Sequence, residues 1–396
     1  MALTFEQARA CVLREVRAGR GSLATEQVSS LDAAGRVLAE EITADRDYPP
    51  FPRSARDGFA IRAADAPGEL RVIGEVRAGD VFPDMVTAGE AVEIMTGAPL
   101  PDGADAVVMV EHVTRGGDRI NVQRSLKAGE NYNARGIEAK HGSAVLSPGR
   151  RLGFAEIALL AMVGREAATV FKRPSVAILP TGDEIIEVGG LPESFQIRNS
   201  NAWSMAVQAA RAGGEPRILP IARDNYESTR RLIEQGLEYD ILLLSGGVSA
   251  GKYDIVERVL ADLGAEFFFD RVLVQPGQPL VFGAVKGKFF FGLPGNPAST
   301  MVTFEVFARA AVELLSGAQE APLPLLQAKL SKDVRHKTGL TRFLPAQVSP
   351  DGSTVTPEPW QGSGDVNSLA RANAFLVTEP ERESWAAGEM IRVLLK

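Results

Sequence analysis

The amino-acid sequence predicts a multidomain protein of α/β plus β class: a central three-layer α/β domain with a parallel-rich sheet, a discontinuous helical domain, an inserted β domain and a C-terminal β domain. Three observations lead there. Between residues 174 and 317, apolar strand-like runs alternate with helical patterns. Short β-like stretches cut by Gly, Pro and Asp turns fill 57–141 and return after Glu320. The length, 396 residues, is two to four times a typical domain of ~100 to 200 residues.

Phe5, Ala8, Val12, Leu13 and Val16 recur at helical spacing, with Thr4 and Gln7 in capping-box positions. This reads as a surface helix. Apolar spacing continues through Val28, Leu31, Ala34, Val37 and Leu38, until Tyr48-Pro-Pro-Phe-Pro removes backbone donors and breaks regular structure. A further helical stretch, Phe154 to Val163, follows the β module and is expected to pack back against the N-terminal helices. The expected division is therefore 1–46 with 142–173 as a discontinuous domain, 47–141 as the β insertion, 174–320 as the α/β domain and 321–396 as the C-terminal β domain.

In the α/β segment the buried-strand candidates are Val176 to Pro180, Pro216 to Ile221, Asp240 to Ser245 and Lys288 to Leu293, with helices at 200–212, 225–237, 253–263 and 297–315. Strand followed by helix, repeated, builds a parallel sheet covered on both faces, and ligands bind outside the carboxyl ends of its strands. The tail reads as strands at 327–330, 341–348, 354–357, 375–378 and 390–395.

Apolar residues at 45% and charged residues at 23% suit a folded, soluble chain rather than a disordered one. A net charge of -7 lacks the basic surplus of a nonspecific nucleic-acid binder. Cys11 is the single cysteine and fits a reducing cytoplasm, while His112, His141 and His336 have no ligand spacing for a zinc site. No apolar run of ~18 residues could span a membrane, and the first residues carry no signal pattern.

Polar loops follow the buried strands. Thr181-Gly182-Asp183-Glu184 offers paired acids for a metal or a hydroxyl, or a cap for the next segment. Ser245-Gly246-Gly247-Val-Ser249-Ala-Gly251-Lys252-Tyr-Asp254 has small residues that let backbone N–H groups approach a phosphate at a helix start, or it is a tight turn capped by Asp254. It matches neither a Walker loop nor a dinucleotide fingerprint. Pro294-Gly295-Asn296-Pro297 repeats the arrangement, and Gln275-Pro-Gly-Gln278-Pro adds a rigid loop carrying amides. Asp57 beside Gly58, and Thr96 before Gly97, would each alone read as a β-turn.

Taken in order, Pro49-Pro-Phe-Pro-Arg-Ser-Ala-Arg-Asp-Gly-Phe-Ala, Met95-Thr-Gly-Ala-Pro-Leu-Pro-Asp-Gly-Ala-Asp-Ala-Val-Val, Pro180-Thr-Gly-Asp-Glu, Ser245-Gly-Gly-Val-Ser-x-Gly and Gly292-Leu-Pro-Gly-Asn-Pro resemble the molybdopterin molybdenumtransferase family, which includes MoeA and the E domain of gephyrin. The resemblance spans essentially the whole chain. It implies an elongated homodimer with a helical dimerisation domain and a molybdopterin-binding α/β domain, the cleft lying between that domain and parts of the other subunit. It implies transfer of molybdate to adenylylated molybdopterin, received from a molybdopterin adenylyltransferase, with Mg²⁺ present and AMP released, the product passing to molybdoenzymes.

By the same resemblance, Asp57, Thr96, Glu184, Asp224 and Asp254 are the polar catalytic residues, with Glu184 and Asp254 nearest the metal. The glycine-rich loops above, Gln275, Gln278, Pro294 to Pro297, Arg342 and Ser363 contact the substrates. Three departures stand out. Gln275 and Gln278 replace the family's lysines, exchanging charge-assisted contacts for neutral ones roughly half as strong. Lys252 stands where an acid is usual, either restoring positive field or lying in solvent. Ala134-Arg-Gly-Ile137-Glu138 replaces a Gly-Glu-Asp sequence and loses one carboxylate. Two other readings stay open: a noncatalytic molybdopterin carrier or scaffold, and a molybdopterin adenylyltransferase, for which the extra domains are superfluous.

Overall fold

The computed structural model describes residues 2–246 and 255–396. The central sheet has six strands in the order Glu215–Ile218, Ser175–Pro180, Ile241–Ser245, Lys288–Leu293, Val281–Val285, Glu266–Phe269. The first four run parallel, and the last two return antiparallel. Alternate side chains of the middle strands feed opposite cores. Val176, Ile178, Ile241 and Leu243 meet one set of helices, and Ala177, Leu179, Leu242 and Leu244 meet the other. Burial on both faces is why these strands read as unbroken apolar runs.

Helices Ser200–Ala212 and 297–315 cover the first face, the second interrupted by a π turn at Phe304–Ala308. Helices Tyr226–Gly236 and Ile255–Asp262 cover the other. Helix Phe5–Gly19, held at its start by a Thr4–Gln7 capping box, puts Phe5, Ala8, Val12 and Val16 into the first core as well. It does not pack against Phe154–Met162, contrary to the expectation from the chain order. The wide apolar surface of 297–315 with Phe307, together with Phe343 of the strand Thr341–Val348, gives this helix a larger apolar face to bury against.

Residues 24–48 and 139–171 form their own core around Leu38, Ile42, Leu152, Leu160 and Val170. Strand Thr25–Ser29 pairs antiparallel with Ala167–Phe171, and Ile42–Thr43 with Ala144–Leu146, so both ends of the intervening β segment are stitched together. The apolar spacing from Val28 to Leu38 is therefore strand and turn, not helix. Residues 58–122 make a six-stranded sheet in the order Ala106–Met109, Gly58–Ile61, Glu90–Ile94, Gly68–Val76, Arg119–Val122, Val113–Gly116.

In the tail, Thr341–Val348, Thr354–Pro357, Leu325–Leu330, Met390–Leu395 and Ala374–Thr378 pair in sequence and close back on Thr341–Val348, a five-stranded barrel around Leu330, Leu344, Leu376 and Trp385. Closure removes the exposed edges an open sheet would leave. A short strand of the α/β segment, Val274–Gln275, joins it in parallel: Val274 pairs with Thr341 and Gln275 with Arg342.

Candidate functional site

Two adjoining cavities open at the carboxyl ends of the parallel strands. The first, about 360 Å³, is lined by Thr181, Glu184, Ser245, Gly246 and Pro294 to Pro297, with Arg198, Asn199 and Asn201. The second, about 480 Å³, is lined by Gln275, Gln278, Pro294, Asn296, Trp360 and Ser363, among others. Pro279, Pro294 and Asn296 belong to both walls, so the two are neighbours across one loop. Three of the polar loops noted in the sequence converge because parallel strands deliver their carboxyl ends to one edge, and the Gln275–Pro279 loop joins them there because it leads into the antiparallel strand Val281–Val285.

The loops are braced by backbone and side-chain bonds together. Thr181 N–H donates to the Ser245 carbonyl at 3.2 Å, and Gly246 N–H to the Leu293 carbonyl at 3.2 Å. Asn201 Nδ2 donates to Ser245 Oγ at 2.9 Å and to the Gly295 carbonyl at 2.7 Å. Thr300 Oγ1 donates to the Pro294 carbonyl at 2.5 Å. Asn296 Nδ2 reaches Ser363 Oγ at 2.9 Å, and Ala298 N–H the Ser363 carbonyl at 2.9 Å, which ties the α/β loop to the barrel.

Arg342 brings the guanidinium. It is 5% exposed, and its Nε donates to Gln275 Oε1 at 2.9 Å while Nη1 reaches the Leu340 carbonyl at 3.3 Å. No carboxylate pairs with it among the described residues, and burial pushes its pKa down from the ordinary guanidinium value without discharging it. Arg342 lines neither cavity itself but backs Gln275, which lines the second, and the cost of its buried charge is lowered when an anion binds beside it. Burial, then the Arg342 charge, also holds His336 below the usual imidazole value.

Glu184 sits over Gly182, whose φ of +134° suits glycine; a Cβ built there would lie 2.5 Å from the Glu184 carboxylate. Its Thr-Gly-Asp-Glu loop is backed by Asp224, whose N–H donates to Asp183 Oδ1 at 3.1 Å while Asp183 N–H donates to Asp224 Oδ2 at 3.3 Å. Arg223 bonds the Asp183 and Ile185 carbonyls beneath. Gly182, Asp183 and Asp224 therefore support the loop and do not line the cavity. Gly247, Ser249, Gly251, Lys252 and Asp254 lie outside the described residues.

Asp57 and Thr96 meet each other elsewhere. Thr96 N–H and Oγ1 both donate to Asp57 Oδ1, at 2.7 and 2.9 Å, just beyond the paired ends of strands Gly58–Ile61 and Glu90–Ile94. These bonds, the backbone one first, hold the Asp57 carboxyl below the usual carboxylate range. Neither residue lines the two cavities of its own chain. Asn201, Arg198 and Trp360 are wall residues that sequence reasoning missed. Asn201 follows the helix cap Asn199 by two positions at the sheet edge, and that placement is a usable signal.

Among the described residues no group of three or more His, Cys, Asp or Glu could hold a metal ion by itself, and no helix is long and apolar enough to cross a membrane. A single carboxylate on a cavity wall suits Mg²⁺, which takes one or two carboxylates and completes its shell with water and substrate phosphate.

The comparisons with known proteins agree over the length of the chain. Residues 3–164 match the MoeA N-terminal region (domain I and II), 177–314 a probable molybdopterin binding domain, and 327–396 the MoeA C-terminal region (domain IV). The chain is 35% identical over 369 residues to the molybdopterin molybdenumtransferase of Staphylococcus aureus (strain COL), covering 91% of this chain and 88% of that one. It matches the crystal structure of a molybdopterin biosynthesis MoeA protein from Pyrococcus horikoshii OT3 with a TM-score of 0.81 at 29% identity, covering 100% of both chains. A second MoeA structure from the same organism gives 0.73 at 33% identity, covering 100% and 99%.

Proposed function

The chain belongs to the molybdopterin molybdenumtransferase family, and from that premise we propose that it inserts molybdate into adenylylated molybdopterin with Mg²⁺-dependent release of AMP. The observation that carries this reading is the pair of joined cavities at one sheet edge. The first offers the hydroxyls of Thr181 and Ser245 and the backbone N–H groups of Gly295 and Asn296, the equipment for a phosphorylated pterin. The second offers the amides of Gln275 and Gln278, Ser363 and the nearby Arg342 guanidinium, the equipment for an oxyanion.

In this reading each wall has a task. Arg342 and the two amides orient molybdate beside Pro294 and Asn296, the loop shared by the two cavities, so that oxyanion and pterin side chain meet there. Holding two reactants in contact supplies a large part of the rate advantage of such a transfer. Glu184, with Asp254, would hold Mg²⁺, which neutralises phosphate charge as AMP leaves. Water is kept from the dithiolene by the proline-lined walls, Pro279 and Pro294.

The Asp57–Thr96 pair enters through a second copy of the chain. The homodimer supplies it across the subunit boundary, and the depressed Asp57 pKa keeps its carboxylate ionised at neutral pH. The enzyme works in the cytoplasm, taking substrate from a molybdopterin adenylyltransferase and passing product to molybdoenzymes. The test is AMP release from adenylylated molybdopterin at fixed Mg²⁺, with molybdate or tungstate varied. Oxyanion-dependent release supports the transferase; tight pterin binding without release would move the chain to the carrier reading.

A further inference from the structure

Asn201 joins two loops that no other side chain joins directly among the described residues. Its Nδ2 donates to Ser245 Oγ at 2.9 Å and to the Gly295 carbonyl at 2.7 Å, one partner on each of two loops that line the first cavity. Because the Gly295 carbonyl can only accept, the amide's orientation is fixed: nitrogen faces the loops. Its Oδ1 is buried and has no partner in the described chain, so the side chain is not held there by a full set of its own bonds. Leaving a buried acceptor unmatched costs free energy, which a purely structural residue at this place would avoid.

The position is rigid from behind. Asn199 caps helix Ser200–Ala212, its Oδ1 accepting the Ala202 N–H at 3.2 Å, and Ala202, Met205 and Ala209 anchor that helix in the core. Asn201 therefore projects from a fixed helix start onto two loop segments whose other ties run to strand ends. The Gly295 segment continues into Asn296, which bonds Ser363 of the barrel. One amide thus fixes the spacing between the loop that begins at Ser245 and the loop that leads to the second cavity.

We propose that Asn201 is a positioning residue for the transfer, setting the separation of the two cavity loops so that the phosphorylated pterin is gripped from both sides. This rests on the functional reading above. Asn201 acts through Ser245 and Gly295 and not on the reacting atoms.

The test uses the full chain with two substitutions. Asn201→Ala removes the clamp, and Asn201→Asp keeps the shape while replacing the donor by an acceptor opposed to the Gly295 carbonyl. Amide hydrogen exchange is read at Gly246 and at residues 295 and 296, and KM for adenylylated molybdopterin and kcat are read separately. In both variants we expect faster exchange at those amides and a KM raised about tenfold, the scale of a lost hydrogen-bonding network, with kcat and the KM for molybdate changed less than threefold. A packing role would leave Asn201→Asp like the wild type. Wild-type exchange and wild-type KM in Asn201→Ala would overturn the proposal. If the unsubstituted chain shows no oxyanion-dependent AMP release, the functional reading fails, while the exchange data still decide whether Asn201 holds the loops.

Discussion

Arg342 and Gln275 are joined twice: as partners in the short parallel ladder between the α/β segment and the barrel, and by the 2.9 Å bond from Arg342 Nε to Gln275 Oε1. The glutamine amide is thereby turned with its oxygen on the guanidinium, which leaves its NH₂ free to donate elsewhere. A lysine at position 275 could not accept this bond. It would place a second cation against a buried one that has no carboxylate partner among the described residues.

The double substitution Gln275→Lys, Gln278→Lys is therefore expected to strengthen oxyanion binding and weaken the empty protein together. Half-saturating molybdate should fall about tenfold at low ionic strength, since charge-assisted contacts are roughly twice as strong as neutral ones. The gain should shrink as salt screens the added charges. Titration calorimetry at two salt concentrations, with a thermal melt in the absence of oxyanion, checks both halves. A melting temperature unchanged or raised in the empty variant would contradict the repulsion.

The bonds from Thr96 N–H and Oγ1 lower the Asp57 pKa, and the sign of the pH effect follows from that. The interaction is fully present above the ordinary carboxylate value of about 4 and is lost as pH falls through the lowered one. The rate of AMP release should therefore show no rising limb from Asp57 above about pH 4. Asp57→Asn keeps a carbonyl to accept from Thr96, so its melting temperature should stay within about 3 °C of wild type. Its AMP release should fall about 100-fold or more, as read in the same assay.

Gly182→Ala tests the place of Glu184. The new methyl would collide with the Glu184 carboxylate, and φ of +134° strains any residue but glycine. Glu184 should swing away, raising the Mg²⁺ concentration for half-maximal AMP release about tenfold or more, with pterin binding in EDTA within twofold of wild type. An unchanged Mg²⁺ requirement would remove Glu184 from the metal.

Phe5 sits at a three-way seam, with ring centroids 5.8 Å from Phe307 and 5.3 Å from Phe343, both edge-on. Phe5→Ala should lower stability by about 3 kcal/mol or more, the usual cost of emptying an aromatic site. Urea unfolding followed by tryptophan fluorescence would show it as an earlier midpoint. A loss under about 1 kcal/mol would mean the first helix is held by its other contacts, such as Arg9 to the Val306 carbonyl at 2.9 Å.

Much of the fold was legible because burial on two faces writes an unmistakable pattern. Residues 341–348, 354–357 and 390–395 are strands with the limits their alternation and turns suggested, and helix 200–212 runs as read. The antiparallel strands Glu266–Phe269 and Val281–Val285 were not legible. One is short and half exposed, and both lack the strand-then-helix rhythm that marked their neighbours. Val28 to Leu38 misled because residues facing a small core from a strand and turns can fall by chance at helical intervals. The packing of helix Phe5–Gly19 was hidden for another reason: an amphipathic stripe states that a face is buried, not against what.

The site divides along the same line. Thr181, Glu184, Ser245, Gly246 and Pro294 to Pro297 were readable because glycine, proline and small polar residues after a buried strand are a local signal. Asn201 and Trp360 were not, since each becomes part of the wall only through contacts distant in sequence. Asp57 and Thr96 were found as separate turns, and their mutual bonds needed strands Gly58–Ile61 and Glu90–Ile94 to lie side by side.

The ladder from Val274 and Gln275 to Thr341 and Arg342 has a mechanical consequence. A barrel spliced to its neighbour by backbone bonds, including Thr341 N–H to the Leu273 carbonyl at 3.0 Å, cannot swing aside as a door without tearing them. The wall that Arg342 backs through Gln275 is a fixed jamb. Traffic in and out is expected past the 185–198 segment, which lends Ile185, Ile197 and Arg198 to the first cavity and where Leu191, Phe195 and Ile197 stand largely in solvent. A cross-link between the barrel and the α/β segment should therefore leave turnover intact, whereas one that pins 185–198 should stall it.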